Sequence, residues 1–226
     1  MSSSVERYRR PKTTQEAVLT ELRRQILAGE LRPGDHIRQD FLATKLSTSR
    51  IPLREALSVL AGEGVLTYRA YQGYTVTVLT QTDLVEIQRL LGLLEDEALS
   101  HAVRLLDVST LELLREVADK LDGTGVNQAV QFMDLYEEFR FLLIDAAQMP
   151  RLTRLIQLVW QSVDGYRLAW LSDEEARSFT RQTYRQIIDA LVERNTDVVI
   201  AYMDKHRSYA FSQLAETLLD VGARNK

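Results

Sequence analysis

Apolar positions along this chain of 226 residues change their period partway, and the change divides it in two. Leu19, Leu22 and Ile26 recur at helical spacing. Gly29 can take the left-handed conformation that ends a helix, and Pro33-Gly34 supplies a turn. Phe41, Leu42 and Leu46 support a short second helix. Leu53, Ala56, Leu57 and Leu60 fall at i, i+3, i+4 and i+7, one face of a third. Ser49 can cap that helix, Pro52 sits in its first turn where no backbone N–H is needed, and Gly62 and Gly64 close it. Tyr74, Val76 and Val78 then alternate with Thr75 and Thr77, the period of a half-buried strand. The first 80 residues read helix, helix, helix, strand, strand, and the two strands form a ribbon with a Gly-bearing tip.

From Thr80 onward the texture is that of long helices. The pairs Thr80/Asp83, Ser109/Glu112 and Ser172/Glu175 each resemble a capping box ahead of an apolar-periodic run. The spacing predicts helices over 81–106, 109–122, 127–148, 151–171, 173–194 and 197–222, broken at Gly123-Thr124-Gly125, Met149-Pro150 and Asn195-Thr196. The fold class is therefore mainly α: an N-terminal winged helix-turn-helix over residues 1–80, with a basic arm at its start, then an all-α bundle over 81–226. The first bundle helix is apolar on two sides. Leu84, Ile87, Leu91, Leu94 and Ala98 form one stripe, and Val85, Arg89, Gly92, Leu93 and Asp96 the other. Such a helix is sandwiched either inside its own bundle or against a partner subunit.

Charge sharpens the division. The chain has a net charge of −4. Residues 1–80 carry 12 Lys+Arg against 8 Asp+Glu, and the remainder 16 against 24. A basic first part and an acidic second part suggest that only the former meets phosphates. Cysteine is absent, which excludes disulfides and thiolate metal sites and fits a reducing cytoplasm. No apolar run approaches the roughly 20 residues of a membrane span, and MSSSVERYRRPK has no apolar segment of the kind a secretory signal needs.

The third helix carries Arg50 and Arg54 at its front. A capped start, an apolar anchoring face and long cations in the first turn are what a helix needs to read the major groove. The stretch Leu27-Ala28-Gly29-Glu30-Leu31-Arg32-Pro33-Gly34, followed by Ser49-Arg50-Ile51-Pro52-Leu53-Arg54-Glu55-Ala56-Leu57, then Glu63-Gly64-Val65-Leu66 and Gly73-Tyr74-Thr75-Val76, resembles the GntR-type winged-helix regulators, in the FadR-like branch with an all-helical effector domain. The likeness runs from about Lys12 to Tyr209. It implies a homodimer on a pseudo-palindromic, double-stranded operator, with Ser49, Arg50 and Arg54 in the major groove and Gln72 and Gly73 at the wing tip in the minor groove. Lys45 and Arg69 are candidate phosphate contacts. Asp40 stands where some relatives place another DNA-contacting arginine.

Many such relatives hold a divalent metal in the helical domain through D-x-x-F-H, H-x-x-I and M-x-x-H. Here those frames read Tyr136-Glu137-Glu138-Phe139-Arg140, Tyr184-Arg185-Gln186-Ile187 and Met203-Asp204-Lys205-His206. Neutral phenols are poor ligands for divalent ions and a guanidinium has no lone pair to give, so no metal and no cofactor is expected. Arg140 puts a fixed positive charge there instead. With Tyr136, Tyr184 and His206, and with Arg89 as a second anchor, it can bind an organic acid directly. A larger acyl-type effector, or none, remains open, as does the alternative that Arg140 pairs with a buried acid. Trp160, Tyr166 and Trp170 form an aromatic row along the helix expected at 151–171. The chain carries no GxSxG, phosphate loop, HExxH or cysteine nucleophile, which argues against an enzyme.

Overall fold

The computed structural model describes residues 13–125 and 127–224, so the basic arm at residues 1–12 lies outside the described residues. The N-terminal unit begins with α1 (Thr14–Leu27), opened by a capping box in which Thr13 and Glu16 satisfy each other's backbone N–H. It closes as expected at Gly29, whose φ of +67° only glycine adopts readily. Then come α2 (Gln39–Lys45), α3 (Arg50–Gly62) and the antiparallel strands β1 (Leu66–Arg69) and β2 (Gly73–Val76). Leu53, Ala56, Leu57 and Leu60 are fully buried against Leu22, Ile26 and Val65, so the apolar face of α3 fixes which side it presents to solvent. The ribbon pairs Leu66 with Val76 and Arg69 with Gly73, and Val76, Tyr74 and Leu66 face the same small core.

The bundle comprises α4 (Gln81–Leu105), α5 (Val108–Asp122), α6 (Ala129–Asp145), α7 (Pro150–Gln161), α8 (Asp164–Leu171), α9 (Glu174–Val192) and α10 (Thr196–Arg224). Helix α4 packs on α6, α7 and α10, and α5 on α6 and α9. The capping box at Thr80 and Asp83 is formed. The start of α5 lies at Asp107 rather than Ser109, because the Asp107 carboxylate accepts the Thr110 N–H at 2.7 Å and takes the Ser109 hydroxyl as well. Asp173, not Ser172, stands at the N-cap of α9.

The helix expected over 151–171 is two. The turn at Ser162 and Val163 ends α7, and Ser162 donates to the Val159 carbonyl at 2.6 Å. The redirected α8 reaches the N-terminal unit, where a Cβ on Gly165 would lie 3.5 Å from Pro33 and 3.7 Å from Ile26. Its next residue, Tyr166, accepts the buried N–H of Leu79 at 3.0 Å. So α8 touches both the first unit and the linker leaving it.

Only one of the two stripes of α4 is buried within this chain. Leu84, Leu91 and Ala98 are buried, whereas Val85 and Leu93 are 66% and 67% exposed. No described helix is long and apolar enough to cross a membrane.

Candidate functional site

The nucleic-acid candidates come from three elements. Lys45 ends α2, Ser49, Arg50 and Arg54 open α3, and Arg69, Gln72 and Gly73 belong to the ribbon. All are exposed except Gly73, which is half-buried at the base of the tip. Ser49 has N-cap backbone geometry, but its hydroxyl makes no capping bond and stays free to meet a ligand. Gly73 has a φ of +83°, and a Cβ there would approach His36 to 3.3 Å, so the wing needs glycine twice over. Arg54 and Arg69 make no ion pair among the described residues. Arg50 is held by Asp40 at 2.9 Å, with both side chains more than three-quarters exposed, and Lys45 stands 3.5 Å from Glu30.

Two features of this surface escaped the sequence reading. Asp40 does more than replace a cation, because it occupies Arg50. Tyr71, at φ +65°, is wholly exposed at the wing tip between Ala70 and Gln72. An aromatic in a tight loop gives no periodic signal that could have marked it.

In the bundle, Tyr136, Arg140, Tyr184 and His206 converge. Each is at most 2% exposed. Tyr136 and Arg140 share one face of α6, one turn apart. The Tyr184 ring lies parallel to that of Tyr136 with centroids 5.9 Å apart, and its hydroxyl donates to the Tyr136 carbonyl at 3.2 Å. His206 stands 5.6 Å from Tyr136 and 5.5 Å from Tyr184, centroid to centroid. Burial raises both phenols above their ordinary range, so they stay neutral.

His206 is also neutral. Burial, reinforced by the charges of Arg140 and Arg207, pushes its imidazole down to about 3. Its tautomer follows from Thr180. That hydroxyl donates to the Ala176 carbonyl at 2.9 Å, so its oxygen accepts from His206 Nε2–H at 3.1 Å. The lone pair therefore sits on Nδ1, which has no partner among the described residues.

Arg140 meets a residue that sequence reasoning did not name. Its Nε and Nη2 donate to Glu95 of α4 at 3.0 and 2.9 Å in a bidentate fork, and Arg207 of α10 donates to the same carboxylate at 2.7 Å. Among the described residues, Arg140 Nη1 is buried without a partner, as are the indole N–H groups of Trp160 and Trp170. The Arg140 guanidinium lies 4.3 Å from the Trp160 ring centroid, and that of Arg167 lies 3.9 Å from it. Arg140, Arg167, Arg207, Trp160 and Trp170, with Tyr136 and Phe211, line a cavity of about 20 Å³, and Tyr184 and His206 stand behind its wall rather than in it. The aromatic row expected on one helix is divided, with Trp160 on α7 and Tyr166 and Trp170 on α8.

Arg89 does not join this cluster. It is exposed on the outer side of α4 and lines a surface groove with Val85, Gln88, Leu93 and Asp96, because a residue two positions from Leu91 on a helix faces away from it. The place where related proteins hold a metal offers here two neutral phenols, a guanidinium paired to Glu95, and one imidazole whose Nε2 is spent on Thr180. That set does not fit a divalent cation.

A winged helix-turn-helix with cations at the front of its third helix, joined to a helical domain with buried arginines among aromatic rings, defines a DNA-binding regulator. Residues 14–76 match the family of bacterial regulatory proteins named gntR, and residues 86–208 match the FCD domain. The chain is 30% identical to the Nta operon transcriptional regulator of Aminobacter aminovorans over 187 residues, covering 83% of this chain and 88% of that protein. It is 31% identical over 144 residues to the transcriptional regulator McbR of Escherichia coli, covering 63% and 65% of the two. The fold is shared with the solved structure of E. coli McbR/YncC, with a TM-score of 0.79 over 92% of this chain and 99% of that one at 23% identity. The chain belongs to the GntR family of bacterial transcriptional regulators, in the group that carries an FCD effector-binding domain. It is a regulator and not an enzyme.

Proposed function

We propose that this regulator is a repressor that binds a pseudo-palindromic operator as a homodimer, and that a small carboxylate held directly by Arg140, without a metal, alters its affinity for DNA. Arg50 and Arg54 read bases, Ser49, Lys45 and Arg69 hold phosphates, and Gln72 and Gly73 bring the wing to the minor groove.

The observation that carries the effector reading is the state of Arg140. It is 1% exposed, its Nη1 has no partner among the described residues, and it lies among Tyr136, Tyr184 and His206. A fixed cation with an unused donor beside buried aromatic rings favours a carboxylate strongly over a neutral ligand. Helix α8 supplies the route to DNA. Arg167 and Trp170 line the cavity, while Gly165 and Tyr166 of the same helix meet the N-terminal unit and its linker.

Self-association is supported by the outer stripe of α4. Val85 and Leu93 are exposed there, with Arg89 and Asp96 placed two turns apart. Antiparallel pairing of two such helices sets each Arg89 against the other copy's Asp96, as a two-fold interface requires.

A second reading has two observations in its favour. The cavity holds only about 20 Å³ and Arg140 is already paired to Glu95, which suits a regulator without a small-molecule effector. The same volume disfavours a long acyl ligand. Selection of binding sites from random duplexes by the purified protein, followed by titration of organic acids onto the selected complex, tests both halves. Inverted half-sites and a carboxylate-dependent change in affinity support the proposal. A single asymmetric site, or no response to any acid, counts against it.

A further inference from the structure

Glu95 is fully buried, and neither DNA reading nor the ligand chemistry above gives it a task. It lies between two guanidiniums that are themselves 1% and 3% exposed. One carboxylate thus serves two buried cations. Asp96 and Asp204 complete Arg207 from outside at 3.4 and 2.8 Å, but they are 43% and 61% exposed, where water screens their charge. Two buried guanidiniums share one buried carboxylate, the other partners of Arg207 lie at the surface, and Arg140 has no carboxylate but Glu95 among the described residues.

Space imposes a condition. The cavity beside Arg140 is about 20 Å³, room for roughly one water molecule. A second carboxylate therefore enters only if that of Glu95 moves away from Arg140. Glu95 fills the Nε/Nη2 fork of Arg140, and only Nη1 is left without a partner among the described residues.

The geometry points to Glu95 as a resident carboxylate of the anion site, and to ligand binding as an exchange in which Glu95 yields the fork of Arg140 and remains on Arg207. This inference rests on the carboxylate reading of the cavity. The exchange leaves no buried charge unpaired, because Arg207 Nη1 already holds Glu95 Oε2 at 2.7 Å. Two cations then face two carboxylates.

Arg207 gives the exchange an outward consequence. Its side chain lines the inner cavity and also the groove of about 400 Å³ on the outer side of α4 and α10. It lies flat over Gly92, where a Cβ would come within 3.2 Å of Nη2. A change in how Glu95 holds Arg207 is therefore felt beside Val85, Leu93 and Asp96, on the face of α4 turned away from the core.

Formate is the test probe, since it carries the carboxylate and nothing else. The chain has two tryptophans, Trp160 and Trp170, and both line the cavity, so their emission reports its occupancy. Glu95→Ala should melt at least 5 °C below the wild type, by analogy with other broken buried ion pairs. Sodium formate, and not sodium chloride at equal ionic strength, should raise that melting point and shift the emission saturably. Should the alanine variant not fold, Glu95→Gln keeps the side-chain shape and removes the charge, and it should bind formate at least tenfold more tightly than the wild type. Folded variants that bind formate no better than the wild type overturn the inference. Wild-type protein that takes up a carboxylate at Arg140 as tightly as Glu95→Gln keeps the effector reading and overturns this one. Formate binding to the variants, with a wild type indifferent to every carboxylate, keeps Glu95 as occupant and overturns the effector reading instead.

Discussion

The hydroxyl of Tyr166 on α8 accepts the backbone N–H of Leu79 at 3.0 Å, a buried bond between residues 87 positions apart in the chain. Leu79 belongs to the short linker between the winged unit and α4, so the orientation of that unit depends on a helix that also lines the cavity. A buried N–H that loses its acceptor costs the full desolvation penalty of the group. Tyr166→Phe should therefore destabilise the protein by about 1–3 kcal/mol in denaturant unfolding. It should also raise the rate of limited proteolysis within residues 77–80. Unchanged stability and cleavage would mean that the linker is held by packing alone.

Arg54 makes no ion pair among the described residues and projects from the first turn of α3. Arg54→Ala should leave the fold intact and weaken specific binding to a selected duplex by about 1–3 kcal/mol, the worth of one good bidentate base contact. Fluorescence anisotropy against specific and scrambled duplexes separates the cases. An equal loss on both would make Arg54 a phosphate contact.

Asp40 holds Arg50 at 2.9 Å on an open surface. Exposed pairs of this kind contribute about 0–1 kcal/mol to stability, so removing Asp40 costs the fold little. On DNA, however, the carboxylate both repels phosphate and competes for the guanidinium. Asp40→Asn should tighten binding several-fold and steepen its dependence on salt. Weaker binding by the variant would mean that Asp40 positions Arg50 for a base.

His206 sets a pH signature. In the folded protein its imidazole is held down to about 3 by burial, against an ordinary value of 6.5. The unfolded chain takes up a proton as pH falls through 6.5, while the folded one does not until about 3. The stability that the neutral imidazole confers is thus fully present above pH 6.5 and is lost as pH falls through that window. The slope approaches about 1.4 kcal/mol per pH unit, so the wild type should lose about 2 kcal/mol more than His206→Gln between pH 7.5 and 5. Parallel stability profiles for the two proteins would show that His206 is not held neutral.

Much of this architecture was legible in the sequence because it follows from periodicity. The face of α3 is set by Leu53, Ala56, Leu57 and Leu60, and all four are buried as their spacing requires. The four residues that converge in the bundle were legible too: Tyr136 and Arg140 lie one turn apart on an apolar stripe, and Tyr184 and His206 stand at the positions that the family resemblance marks. What escaped was pairing across helices. Glu95 falls one turn after Leu91 and one turn before Leu99 on the buried side of α4, a carboxylate in an apolar frame. That signal marks a buried acid, but nothing local says that its partners are Arg140 and Arg207. Arg89 was misplaced because both stripes of α4 are apolar, and pattern alone does not say which one faces the cavity. The division of α7 from α8 was hidden because apolar spacing continues across Ser162 and Val163, while the turn answers to a contact with Pro33 and Ile26 that lies far off in sequence.

The central claim is that a carboxylate at Arg140 changes how the winged unit holds DNA. The direct measurement is operator affinity by anisotropy, on a selected duplex, as organic acids are titrated into wild-type protein and into Arg140→Gln. The account predicts that at least one acid changes the affinity of the wild type by about fivefold or more, the usual scale of allosteric coupling, and leaves the variant unchanged. An equal response in both proteins, or none in the wild type across the whole panel, would contradict it.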